Sequence, residues 1–195
     1  MATAERTGRD REAASSERLL EAAVHVIRSK GYSAARVDDI CAEAGLTKGA
    51  FFHHFASKEA CAVAAAAHFA ARADAIFDAA PYAHLADPRA RVLGYVAFRK
   101  AMLRGELAQF TCLLGTMVQE AYETHPAIRA ACDRYIAEHA ARLEADLAEA
   151  KRLHAPDAHW NPRAPRCSPR RCFKAHSSSP RRRAAPASLK NASII

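Results

Sequence analysis

The sequence predicts an all-α protein: an N-terminal three-helix domain containing a helix-turn-helix, a larger helical body, and a tail with the pattern of neither. Three observations carry this expectation. Apolar residues recur at three- and four-residue intervals through most of the first 160 positions, alanine and leucine dominate with only 7 glycines in 195 residues, and turn-forming residues fall between the periodic stretches. With 50% hydrophobic residues the chain can bury a sizeable core.

Taken in order, Met1 to Ser15 is charged and aperiodic and reads as a mobile, solvated arm. A first helix is expected from Ser16 to Lys30, with Leu20, Ala23, Val24 and Ile27 as its buried stripe and Gly31 as its stop. Val37, Ile40, Cys41 and Ala44 give the second helix an apolar face, and Gly45 can end it in the left-handed conformation. Thr47 can cap a third helix, in which Phe51 and Phe55 stand four apart towards the core. Ser57 can cap a fourth, with Glu59 in its first turn, and about 23 residues at 1.5 Å each would carry it roughly 35 Å to Pro81. Asp87-Pro88 opens a fifth helix. The apolar run Phe110 to Tyr122 follows, then Thr124-His125-Pro126, then an amphipathic helix to about Leu153 through Ile128, Cys132, Tyr135, Ile136, His139, Leu143 and Leu147.

The third helix is where function concentrates. A glycine inside a helix costs roughly 1 kcal/mol against alanine, so Gly49 makes sense where the backbone must come close to something, and DNA fits that need. The run Thr47-Lys48-Gly49-Ala50-Phe51-Phe52-His53-His54-Phe55-Ala56-Ser57-Lys58-Glu59 resembles the TetR family of transcriptional regulators, whose motif reads Lys-Gly-x-x-Tyr-x-His-Phe-x-x-Lys-Glu. Phe52 departs from it, because a tyrosine there contacts a DNA phosphate through its hydroxyl and phenylalanine has none. Lys48 can reach a base edge or phosphate, Ala50 a thymine methyl, Thr47 a phosphate, and Arg36 enters the motif as a backbone contact. His54 matches a family position that often contacts phosphate; His53 projects from the same helix, and Lys58 approaches from the next. The resemblance implies a homodimeric repressor whose reading helices enter successive major grooves about 34 Å apart, released from operator DNA by a small-molecule effector.

Tyr95, Phe98, Phe110, Cys112, Met117 and Tyr122 are expected to line the central cavity of a TetR-like body, with Thr111, Thr116 and Gln119 as polar orienters. Each also fits plain core. Cys112 is expected to be buried and inert, although some branches of the family sense oxidants through a thiol in this helix. The pair His53-His54 is set aside as a metal site, because helix neighbours point about 100° apart. The spacing of Cys167, Cys172 and His176 fits no zinc knuckle. No metal, no cofactor and no catalytic constellation is expected, which argues against an enzyme.

The formal charge of +8 is misleading, since nine bases and no acid follow Trp160, leaving 20 bases against 21 acids before it. DNA affinity must therefore rest on where charges sit. No apolar run approaches the roughly 18 to 20 residues that span a bilayer, Met1 to Ser16 is polar, and six cysteines without a framework fit reduced thiols, so a cytoplasmic protein without membrane association is expected. The domains read as residues 1–56 for the DNA-binding head, 57–160 for the effector and dimerisation body, and 161–195 for a disordered basic tail rich in Pro, Arg and Ser. The family has its last dimer-forming helix where this tail lies. A shifted reading frame is one account of the departure and a native basic tail the other. The rival functions are accordingly a defective regulator with impaired dimerisation and a nonspecific nucleic-acid binder acting through its tail.

Overall fold

Residues Ala2–Lys30 form one helix, α1, in the computed structural model, which describes residues 2–163. The expected arm is therefore the first half of α1. Its alanines, arginines and glutamates favour helix, and once the Leu19 to Ile27 segment is packed, extension towards the N-terminus adds hydrogen bonds without a new nucleation cost. The expected disordered tail lies outside the described residues from position 164 onward.

The other helices are α2 (Val37–Ala44), α3 (Lys48–His54), α4 (Lys58–Asp78), α5 (Pro88–Ala101), α6 (Leu107–Phe110), α7 (Leu113–Ala121) and α8 (Pro126–His154), with a 3-10 turn at Pro81–His84. Among the described residues there is no strand. Local chemistry sets most of these boundaries. Gly45 takes φ 61°, and the amides of Gly45 and Leu46 donate to the Ala42 and Cys41 carbonyls at 3.1 and 2.9 Å, which ends α2. Thr47, Ser57 and Asp87 each accept a backbone N–H at the start of α3, α4 and α5, at 3.2, 3.0 and 3.1 Å. The run Phe110 to Tyr122 breaks at Thr111-Cys112 into α6 and α7.

One core joins the head to the body. Leu19, Ala22, Ala23, Val26 and Ile27 form the buried stripe of α1, one position off the expected register, with Leu20 and Val24 half-buried on its flank. Ile40, Cys41, Ala44 and Phe51 meet that stripe from α2 and α3, Leu113 and Met117 from α7, and Ile128 and Cys132 of α8 extend the same core behind α4 and α7. The small residues Cys61, Ala62, Ala65 and Ala66 of α4 lie between and let the helices approach closely. Phe51 is 0% exposed, and truncation of a phenylalanine so placed costs about 3–5 kcal/mol. Against the expectation of no spanning run, α4, with 21 residues and an 18-residue stretch of mean hydropathy 1.3, is long and apolar enough to cross a bilayer by length and composition alone. Its alanines supply that hydropathy while one face packs into this core.

Candidate nucleic-acid interface

Phe51 and Phe55 anchor α3 inward, at 0% and 8% exposure, and this decides which side faces out. Lys48, Gly49, Phe52 and His53 are exposed, with Phe52 at 53% and set edge-on to Phe51 at 5.3 Å. Gly49 has helical backbone without a positive φ, and a methyl group placed there would meet only Thr47 Oγ1, at 3.7 Å, an ordinary contact. Among the described residues no contact requires a glycine at this position. Ala50 is half-buried beside it.

The polar residues of the motif have partners already. The Lys48 ammonium lies 2.7 Å from Asp38 of α2, and its hydrogen bond to that carboxylate holds the lysine above its ordinary pKa. Both side chains are exposed, so salt screens the pair and a phosphate can replace Asp38. The Arg36 side chain is exposed, while its backbone N–H donates to Asp39 at 2.9 Å. Asp39 also accepts from Lys30 at 2.8 Å, and these bonds, that to Lys30 foremost, keep its carboxyl below the usual range. His53 Nε2 lies 3.0 Å from Glu12 Oε1, and His54 Nε2 shares a hydrogen bond of 2.6 Å with Ser15 Oγ, so both imidazoles turn towards α1.

Lys58 lies elsewhere than expected. Its ammonium donates to the carbonyls of Tyr32 and Ala35, both at 3.0 Å, and sits 4.3 Å from the centre of the Tyr32 ring. It thus ties α4 to the α1–α2 turn, where the approach to DNA was expected of it. The body holds the same turn: the Ser33 amide donates to Glu120 of α7 at 2.7 Å, and the Tyr32 ring packs edge-on against His125 at 5.0 Å. Arg28 Nε donates to the Thr111 carbonyl at 2.7 Å. Sequence reasoning missed Glu12, Ser15, Asp38 and Glu120, because each partner lies 10 to 87 residues away in the chain and no spacing marks it.

The expected ligand-lining set divides in two. Tyr95 and Phe98 join Phe77, Tyr82 and His139 in an aromatic group between α4, α5 and α8. A cavity of about 160 Å³ opens there, lined by these residues except Phe98, which packs outside it, and by Asp78, Arg91, Arg142 and Asp146. Tyr95 Oη lies 3.0 Å from His139 Nε2, and burial raises the tyrosine pKa and lowers that of the histidine, leaving both neutral near pH 7. Phe110, Cys112, Thr116, Met117, Gln119 and Tyr122 belong to the α6–α7 segment instead, and none of them lines that cavity. Met117 is fully buried in the main core, the Thr116 hydroxyl donates to the Cys112 carbonyl at 3.0 Å, Gln119 is exposed, and Arg129 stacks over the Tyr122 ring at 5.3 Å. Cys112, expected to be buried, is exposed at the start of α7, whereas Cys61 and Cys132 are buried and their thiols pushed up to about 12 by desolvation.

Residues 19–72, covering α2, α3 and most of α1's packed half and α4, match the family described as bacterial regulatory proteins, tetR family. An uncharacterized HTH-type transcriptional regulator, YerO of Bacillus subtilis, is 36% identical over 53 residues. That stretch is 27% of this chain and 18% of YerO, so the chain spans under a fifth of the relative's length in the match. Similar solved structures extend the likeness to the body. A TetR-family regulator from Agrobacterium tumefaciens superposes with a TM-score of 0.69 at 16% identity over 84% of this chain and 83% of its own. The reduced form of E. coli NemR does so with 0.63 at 23% over 76% of each, and the regulatory protein TetR from Rhodobacter sphaeroides with 0.63 at 24% over 82% of each. At such identities these structures speak for the fold, and the head speaks for itself through its motif. Residues 19–72 thus match the tetR family model, and the helices that follow share the fold of solved TetR-family regulators.

Proposed function

We propose that this protein is a homodimeric repressor that reads operator DNA through α3 and releases it when a small molecule enters the body. The observation that carries the reading is Gly49: an exposed helical glycine that no internal contact requires, flanked by the exposed Lys48 and Phe52. A helix kept bare at that point allows its backbone close to a groove wall. In this reading Lys48 exchanges Asp38 for a phosphate or base edge, Thr47 and Ala50 follow it into the major groove, and Arg36, His53 and His54 flank the backbone. Phe52 contributes apolar contact without a phosphate hydrogen bond. Residues 1–56 act as the reading head and 57–160 as the responding body, in the cytoplasm and without a cofactor.

The effector site of this reading is the aromatic cavity around Phe77, Tyr82, Tyr95 and His139, which suits a ligand of few heavy atoms. A ligand there presses on α4, which carries Lys58 at its other end. Lys58 and Glu120 hold the α1–α2 turn, so a displaced α4 or α7 would change the pitch of the head. Release of DNA then requires only that the ligand favour the displaced state. For pairing, α8 offers Ile136, 39% exposed along 29 residues of helix.

Sedimentation equilibrium of the full chain, with and without DNA from its own upstream region, tests the proposal alongside footprinting. A dimer protecting two half-sites one helical turn apart is expected. A monomer with salt-sensitive, sequence-blind binding would leave the defective-regulator reading in its place.

A further inference from the structure

Glu12, His53 and His54 bring three metal-ligating donor atoms within 4.8 Å of one another on the surface of the head. Set aside on the spacing of α3 alone, the two histidines gain a third donor from α1, 41 residues away from His53. The long imidazole arms offset the angle between helix neighbours, since both Nε2 atoms swing to the same side, one to Glu12 and one to Ser15.

We propose that Glu12 Oε1, His53 Nε2 and His54 Nε2 bind a divalent transition-metal cation that staples α1 to α3. Two imidazoles and one carboxylate are the donor set of borderline cations such as Zn²⁺ and Co²⁺, and a poor one for Mg²⁺ or Ca²⁺, which take oxygen. A tetrahedral ion with bonds of about 2.0–2.1 Å needs its donors roughly 3.3 Å apart. The Glu12 and His53 donors stand at 3.0 Å already, and the His54 donor, within 4.8 Å of both, would close the remaining gap by side-chain rotation. The Ser15 hydroxyl, 2.6 Å from His54 Nε2, or a water takes the fourth position. Binding displaces any proton on either Nε2, so affinity falls in acid.

The test is a Co²⁺ titration of the full chain followed by visible absorption. One Co²⁺ per chain with the intense bands of four-coordination, displaced by Zn²⁺, is expected. Glu12→Gln and His54→Ala should each weaken binding at least tenfold while far-ultraviolet circular dichroism stays unchanged, because Glu12 is exposed and His54 is only half-buried. Unchanged affinity in both variants would overturn the site. So would a sulfur-to-cobalt charge-transfer band, which would put the ion on cysteines, or a weak spectrum that never saturates.

Discussion

Gly31 and Gly49 lie 18 residues apart in the same head and answer to different surroundings. Gly31 takes φ 86° between α1 and α2, where a methyl group would run into the Glu120 carboxylate. Gly49 has ordinary helical backbone, and a methyl group there would make only an ordinary contact with Thr47 Oγ1. The two lysines of the motif divide the same way: Lys58 is half-buried on two carbonyls, and Lys48 has a 60% exposed side chain held only by an exposed acid. A contiguous motif thus contains two devices. One face of the head is fastened to the body, and the other is exposed.

The largest effect should come from breaking the fastened side. Gly31→Ala places a side chain at a strained φ, about 1–3 kcal/mol for the backbone alone, with the Glu120 collision added; urea unfolding reads the sum. Adding Glu120→Ala should recover the collision and leave the strain, and a double variant no more stable than Gly31→Ala would show that Glu120 does not press on the turn. Lys58→Met removes two charge-assisted hydrogen bonds and should lower unfolding stability by about 1.5–3 kcal/mol. If it instead spares stability and weakens DNA binding alone, Lys58 belongs to the open face after all.

On the open face the signs reverse. Gly49→Ala should raise the stability of the free protein by up to about 1 kcal/mol while weakening operator binding tenfold or more in fluorescence anisotropy. Equal or tighter binding would remove the chief support for α3 as the reading helix. The smallest effect is expected of Phe52→Tyr, which leaves stability alone and restores a phosphate donor, tightening binding by about 0.5–1.5 kcal/mol. No change would mean that position 52 does not face a phosphate in this protein.

What was legible in the sequence was local. The left-handed turn at Gly45, the caps at Thr47, Ser57 and Asp87, and the span of α8 follow from hydrogen bonds and side chains within five residues of each other, and spacing alone reveals them. The exposed face of α3 was legible for the same reason, because the position of Phe51 and Phe55 fixes what points the other way. Tertiary structure decided the rest. Only the packed bundle made helix of the expected arm, drew Lys58 to Tyr32 and Ala35, brought Glu12 to His53 and Glu120 to Ser33, and parted Tyr95 and Phe98 from the α6–α7 residues. These contacts join positions 23 to 87 residues apart, and their partners are chosen by how helices cross, a quantity that no residue's periodicity encodes.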